Sequence, residues 1–343
     1  MPRLRRSDTG GIGINRQRRG RGFSYAWSTG PRVTDAEVIE RIKGLAIPPA
    51  WGDVWICPWP NGHIQAIGTD GAGRRQYRYH DDWRKRRDSE KYDRALELGR
   101  ALPSLRKTIA TDLAATGLGK RRVLAAGVRL LDIGCFRVGS EEYAQDHETY
   151  GVATMLKEHV SLHGDGLTFE YPAKGSIPRT LTIDDPETRD VLCALRRRRG
   201  GSDELLAWKD GRAWVDIRAA DLNAYIKEEA GEEFSAKDFR TWSATVFAAV
   251  VLGRDIHGAR SKTAHRRVVT AAIKEVAQYM GNTPAVCRSS YIDPRIIDRF
   301  HAGDTVAGTP AELERRVASW PEGQPQTERA VLELLSEAVA LAA

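Results

Sequence analysis

The spacing of apolar and polar positions changes character along the 343 residues. From residue 23 to about residue 80 the period is short. Residues 53–58 and 63–68 read as two strands around Asn61-Gly62, a dipeptide suited to a tight hairpin. Residues 70–80 predict a turn and then a strand in which Arg75, Tyr77 and Tyr79 share one face and Gln76 and Arg78 the other, because strand side chains alternate. A short helix is predicted over residues 34–43, with Thr34 as cap and Glu37 closing a capping box.

From residue 90 the period becomes helical, with helices predicted over 90–102, 103–116 and 120–133. Three short strands follow at 159–163, 167–171 and 179–183, joined by Gly164-Asp165-Gly166 and Ala173-Lys174-Gly175. Helices resume at Pro186 and include 221–229, 237–252 and 262–280. Residues 310–319 and 327–343 give two amphipathic helices expected to pack against the domain. The segment 81–88 is dense in charge and reads as a hinge, and the Arg/Gly-rich residues 1–22 lack any period and read as a flexible basic arm. The expected fold class is α+β. A small β-rich amino-terminal domain (23–88) carries an antiparallel sheet with short helices. A larger, mostly helical domain (89–343) carries a small three-stranded sheet.

One segment has both ends marked. In residues 281–294, Thr283 caps a short helix and Pro284 occupies its first position, where a missing N–H costs nothing. Pro294 is expected to stop it, which leaves Tyr291 near the end of a brief rigid element.

Composition is that of a globular protein, 41% apolar and 29% charged. The net charge of +7 and a pI near 9.3 point to an acidic partner. Residues 1–90 hold 17 Lys and Arg against 10 Asp and Glu, and the remainder is balanced, so the amino-terminal part carries the attraction. Cys57, Cys135, Cys193 and Cys287 form no CxxC pair, which argues against a zinc site and a disulfide framework. The apolar stretch around residues 244–252 is too short to span a bilayer. A cytoplasmic protein is expected.

Five positions suit a single piece of chemistry. They are Arg137 after an apolar helix, Lys174 at a hairpin tip, Arg240 in the first turn of a helix, Asn282, and Tyr291 nine residues on. Two arginines can bracket the non-bridging oxygens of a phosphodiester, whose charge grows in the transition state. Asparagine can donate a hydrogen bond there but not a proton. A lysine on a hairpin can protonate a leaving alkoxide, and a tyrosine can be the nucleophile.

These residues, with the Arg137-x-Gly139-x-x-x-Tyr143 run, the Lys237-x-x-Arg240 run and the Asn282 to Tyr291 spacing, resemble the type IB DNA topoisomerases of the poxvirus-like bacterial branch. In the amino domain, Gly73-Arg74-Arg75-Gln76-Tyr77-Arg78-Tyr79 resembles that family's DNA-contacting strand. The resemblance implies a monomer that clamps duplex DNA and is associated with the nucleoid. It implies Tyr291 as nucleophile, Arg137, Arg240 and Asn282 as transition-state stabilisers, and Lys174 as general acid. It further implies DNA contacts from Arg74, Arg75, Gln76, Tyr77, Tyr79, Tyr143 and Lys237, and a reaction without metal or cofactor. Many members carry histidine where this chain has Asn282, which leaves that position hydrogen bonding alone.

Two other readings are weaker. Tyrosine recombinases share the Arg/Lys/Arg/Tyr chemistry, but they usually place histidine at the position of Lys237 and have a helical amino domain. A non-catalytic DNA-binding protein would need the basic residues but not Tyr291 beside all its partners.

Overall fold

The computed structural model describes residues 3–164, 166–173, 175–256, 261–320 and 324–342. They form two units, Met1–Glu90 and Lys91–Ala343.

The first unit is an antiparallel sheet of β1 (Ile14–Arg19), β2 (Gly22–Trp27), β3 (Gly52–Ile56), β4 (Ile64–Thr69) and β5 (Arg75–Tyr79), in the order β2-β1-β3-β4-β5. Helix α1 (Ala36–Gly44) contributes Ile42 to a core with Ile14, Val33, Val54, Ile56 and Ala66. Its cap is Asp35 rather than Thr34: the Asp35 carboxylate accepts from the Glu37 and Val38 amides at 2.8 and 3.3 Å. Glu37 is therefore one position too early to close a box.

Part of the expected basic arm is strand, residues 14–19 forming β1. Ile14 is fully buried, and the Arg5 backbone exchanges hydrogen bonds with Asn61 and His63 at 2.9 Å. The Arg16 guanidinium donates to the carbonyls of Ile47, Pro48 and Trp51 and stacks over Phe23 at 4.2 Å. Arginine bound to backbone in this way has the composition of a solvated tail and the role of a structural brace.

The expected hinge is helical. Helix α2 (Asp81–Leu113) opens on Asp81 and Asp82, which suit the positive end of the helix dipole, and Arg86 and Arg87 pair with Glu90 one turn on. The two helices expected on either side of Pro103 are one. Leu98, Leu102, Leu105, Ile109 and Leu113 keep an apolar stripe continuous through the proline, and that burial outweighs the lost backbone bond.

In the second unit, α3 (Lys120–Gly134) is almost wholly buried from Val123 onward. Then come α4 (Glu141–His147) and the sheet β6-β7-β8, formed by β6 (Val160–His163), β7 (Gly166–Ala173) and β8 (Ile177–Ile183). Helix α5 (Pro186–Arg197), a hairpin of β9 (Ala207–Asp210) and β10 (Ala213–Asp216), and α6 (Ala219–Ala230) follow. The buried α7 (Ala236–Asp255) leads to α8 (Lys262–Met280), α9 (Pro284–Ser290), α10 (Pro294–Ala302), α11 (Pro310–Ala318) and α12 (Gln324–Ala342). The architecture is α+β. Pro294 opens α10 rather than ending the preceding helix, because Asp293 caps it and proline suits a first helical position. The packing expected of the last two helices is present: Leu313, Val331 and Leu335 are fully buried. No helix among the described residues is long and apolar enough to cross a membrane.

Candidate active site

Tyr291 lies just beyond α9, a helix built as its sequence dictates. Thr283 Oγ1 accepts from the Val286 amide, and Pro284 stands at the first helical position. The Tyr291 and Ile292 amides both donate to the Cys287 carbonyl at 3.1 Å, which ends the helix at the tyrosine. Thr245 on α7 holds the next turn: its hydroxyl accepts from the Asp293 amide at 3.1 Å and lies 3.4 Å from the Tyr291 carbonyl. The tyrosine backbone is thus fixed on both sides, while its side chain is half-buried.

Arg137 reaches the same place from another direction. Helix α3 ends with Cys135 in the left-handed region (φ 50°), and the chain then pairs with residues 151–153. The Val152 amide donates to the Arg137 carbonyl at 2.8 Å and the Ala153 amide to that of Val138 at 2.7 Å. A Cβ on Gly151 would lie 2.4 Å from the Gly139 nitrogen and 2.6 Å from the Arg137 oxygen, so only glycine permits this approach. From here Arg137 donates to the Tyr291 hydroxyl at 3.4 Å and to Asn282 Oδ1 at 2.5 Å. Asn282 follows Gly281, the left-handed cap of α8 (φ 61°), and its amide returns to the Ala277 carbonyl at 2.9 Å.

Arg240, at the start of the second turn of α7, is 4% exposed. It donates to the Cys135 carbonyl and, at 3.2 Å, to that of Met280, and its guanidinium carbon lies 5.1 Å from the centre of the Tyr291 ring. The ends of α3 and α8 therefore hold the guanidinium from behind. Two donors of this site, Arg240 Nε and Asn282 Nδ2, are buried without a hydrogen-bond partner among the described residues.

The electrostatics follow from this geometry. Burial alone would raise the Tyr291 phenol, but Arg240 and Arg137 outweigh it and hold the phenol below its ordinary value. Arg137 is itself held low, first by burial and then by the like charge of Arg240. Such a pocket favours an anion at the tyrosine oxygen and beside it.

Four of the five residues picked from sequence, Arg137, Arg240, Asn282 and Tyr291, are thus brought together. Lys174 lies outside the described residues, between β7 and β8 in the chain. The side chain of Tyr143, on α4, is likewise outside them. Lys237 is exposed one helical turn before Arg240. On the edge strand β5, Arg75, Tyr77 and Tyr79 are all exposed, and the two tyrosine rings stack at 6.0 Å. Gln76 faces the other way, and its amide donates to Asp70 Oδ2 at 2.9 Å, the carboxylate that also binds Arg74.

Sequence reasoning missed Arg179. It is 9% exposed on β8 and donates to the carbonyls of Gly134, Cys135 and Tyr279 and to the Tyr171 hydroxyl. The signal in the sequence was an arginine sharing the inward face of a strand with Leu181 and Ile183.

The family model described as the catalytic core of eukaryotic DNA topoisomerase I matches residues 80–302. That of the bacterial DNA topoisomerase IB N-terminal domain matches residues 22–70. The chain is 32% identical over 290 residues to DNA topoisomerase 1B of Acanthamoeba polyphaga mimivirus, covering 82% of this chain and 85% of that protein. Vaccinia virus DNA topoisomerase 1B is 18% identical over 274 residues, 78% of this chain and 83% of its own. DNA topoisomerase 1 beta of Arabidopsis thaliana is 26% identical over 207 residues, 59% of this chain and 21% of the plant protein.

Proposed function

Since the chain belongs to the type IB DNA topoisomerase family, we propose that it relaxes supercoiled duplex DNA by cutting and resealing one strand through Tyr291. The Tyr291 phenol gives its proton to water and its oxygen attacks a backbone phosphorus, a bond forms to the 3′-phosphate, and the bond to the 5′-oxygen breaks. Lys174 gives that oxygen its proton, so the products are a 3′-phosphotyrosine and a free 5′-hydroxyl. Arg137, Arg240 and Asn282 donate to the non-bridging oxygens as their charge grows. The free end rotates, the 5′-hydroxyl attacks the phosphotyrosine, and the tyrosine leaves. Each step exchanges one phosphodiester for another, so the cycle needs neither ATP nor a metal ion.

The observation that carries this reading is the Tyr291 hydroxyl at 3.4 Å from Arg137, with Arg240 against its ring and the phenol held low by both cations. The two unpartnered donors of Arg240 and Asn282 suit a phosphate. In the amino-terminal unit, Arg74, Arg75, Gln76, Tyr77 and Tyr79 would contact the duplex, and in the second unit Tyr143 and Lys237. The enzyme acts as a monomer, both units engaging one duplex, in the compartment that holds the DNA.

Relaxation of a supercoiled plasmid in EDTA without ATP, by the wild type and by Tyr291→Phe, tests the reading. A ladder of relaxed topoisomers from the wild type alone is expected. Binding without relaxation by both proteins would move the role to a recombinase or to non-catalytic DNA binding.

A further inference from the structure

Arg179 is a buried cation with no carboxylate partner among the described residues. Its guanidinium donates to Gly134 O at 2.8 Å, Cys135 O at 3.2 Å, Tyr171 Oη at 3.3 Å and Tyr279 O at 3.4 Å, and lies 5.2 Å from the centre of the Phe136 ring. All four acceptors are neutral. Holding a charge there carries a desolvation cost that an apolar residue of similar length would not, since a buried ion is repaid only by excellent partners.

The acceptors it binds are the ends of the segments that carry the active site. Gly134 and Cys135 end α3, two residues before Arg137. Tyr279 lies in the last turn of α8, three residues before Asn282. The Cys135 carbonyl is also the one that Arg240 binds. Tyr171 lies opposite Arg179 in the register of β7 and β8. Lysine carries the charge but lacks the planar fork that spans two successive carbonyls and a third from another helix.

We propose that Arg179 is a positioning residue of the strand-cutting reaction: it sets the ends of α3 and α8 so that Arg137, Asn282 and Arg240 converge on the phosphate at Tyr291. The inference rests on the role of the site proposed above. Arg179 touches no substrate itself. Its effect therefore falls on the rate of the chemical step and not on the grip on DNA.

Single-turnover cleavage of a nicked duplex by the wild type, Arg179→Lys and Arg179→Met tests this, with DNA affinity and melting temperature measured on the same proteins. Arg179→Lys is expected to melt near the wild type, bind DNA equally well and react to the full amplitude, with a rate constant lower by about 10²-fold, the scale of a small misplacement of reacting groups. Arg179→Met should be at least as slow; if it does not fold, the lysine variant decides alone. Wild-type rate constants in the variants would overturn the inference. So would a loss seen only as reduced amplitude in step with the unfolded fraction, because that is a purely structural role. A wild type that does not cleave at all would instead overturn the reading of the site, and this inference with it.

Discussion

The Arg240 guanidinium carbon stands 5.1 Å from the centre of the Tyr291 ring while its terminal nitrogens donate to the Cys135 and Met280 carbonyls. Arg240 is anchored by backbone from two helix ends, so its charge reaches the phenol through a fixed geometry. With Arg137 it stabilises the phenolate over the phenol, which lowers the proton affinity of Tyr291 against the opposing effect of burial.

A pH dependence follows. In the proposed reaction the phenolate is the attacking form, so cleavage should rise with pH and level off at a lower pH than the reference tyrosine value of about 10 would give. Removing one cation raises the phenol again, so Arg137→Ala should shift the midpoint of the rise to higher pH as well as lowering the plateau. Single-turnover rates across neutral to alkaline pH measure both. An unmoved midpoint in Arg137→Ala would show that the cations do not act on the tyrosine.

Asn282 uses the two ends of its amide differently. Oδ1 accepts from Arg137 at 2.5 Å, and Nδ2 remains a buried donor. Asn282→Asp keeps the shape and the Arg137 contact, removes the donor and sets a negative charge beside the proposed phosphate site. Cleavage should fall by about 10²- to 10³-fold, the usual loss for one transition-state donor, with melting temperature unchanged. Asn282→His keeps a donor and should lose much less. Equal losses in the two variants would remove hydrogen-bond donation from the role of Asn282.

The segment around Tyr291 was legible because its signals are local: a threonine cap and a proline at the first helical position each act within four residues. The exposed face of β5 was legible for the same reason, since alternation in a strand needs no knowledge of its partners. What escaped depends on distant partners. Arg16 reads as part of a basic tail until Ile47, Pro48 and Trp51 present their carbonyls to it. The charges of residues 81–88 mark a helix only through their spacing to Glu90, and Pro103 is tolerated only because leucines on both sides are buried. Arg179 looks like a misplaced charge until the carbonyls of α3 and α8 converge on it.

Gly151 should be intolerant of the smallest side chain. A Cβ there meets the Gly139 nitrogen at 2.4 Å and the Arg137 oxygen at 2.6 Å, both backbone atoms that cannot swing aside. Gly151→Ala must push the Arg137 segment away from residues 151–153. Overpacking of this kind costs about 1–3 kcal/mol of stability. The displaced arginine should cost cleavage more than that loss explains, when unfolding and single-turnover rates are compared at a temperature where the variant is folded. A stability loss with an unchanged rate constant would detach this contact from the site.

The carboxyl-terminal helix α12, outside the segment matched by either family model, reaches α7, the helix that carries Arg240, through Glu328. Its carboxylate accepts from Arg106 at 2.6 and 2.9 Å, from Trp242 Nε1 at 3.1 Å and from Gln324 at 3.0 Å. Trp242 follows Arg240 by two residues, and its indole fills the space left by Gly99 on α2. Breaking a buried pair from one side typically costs about 3–5 kcal/mol, because a charge is left uncompensated. Here Arg106 keeps a bidentate partner in Asp132, at 2.7 and 2.8 Å, so Glu328→Ala should fall near the lower end of that range. Glu328→Gln retains an acceptor for Trp242 and should lose less. Urea unfolding of the two variants measures this, and a cost well under about 1 kcal/mol for the alanine variant would place the helix outside the cooperative core.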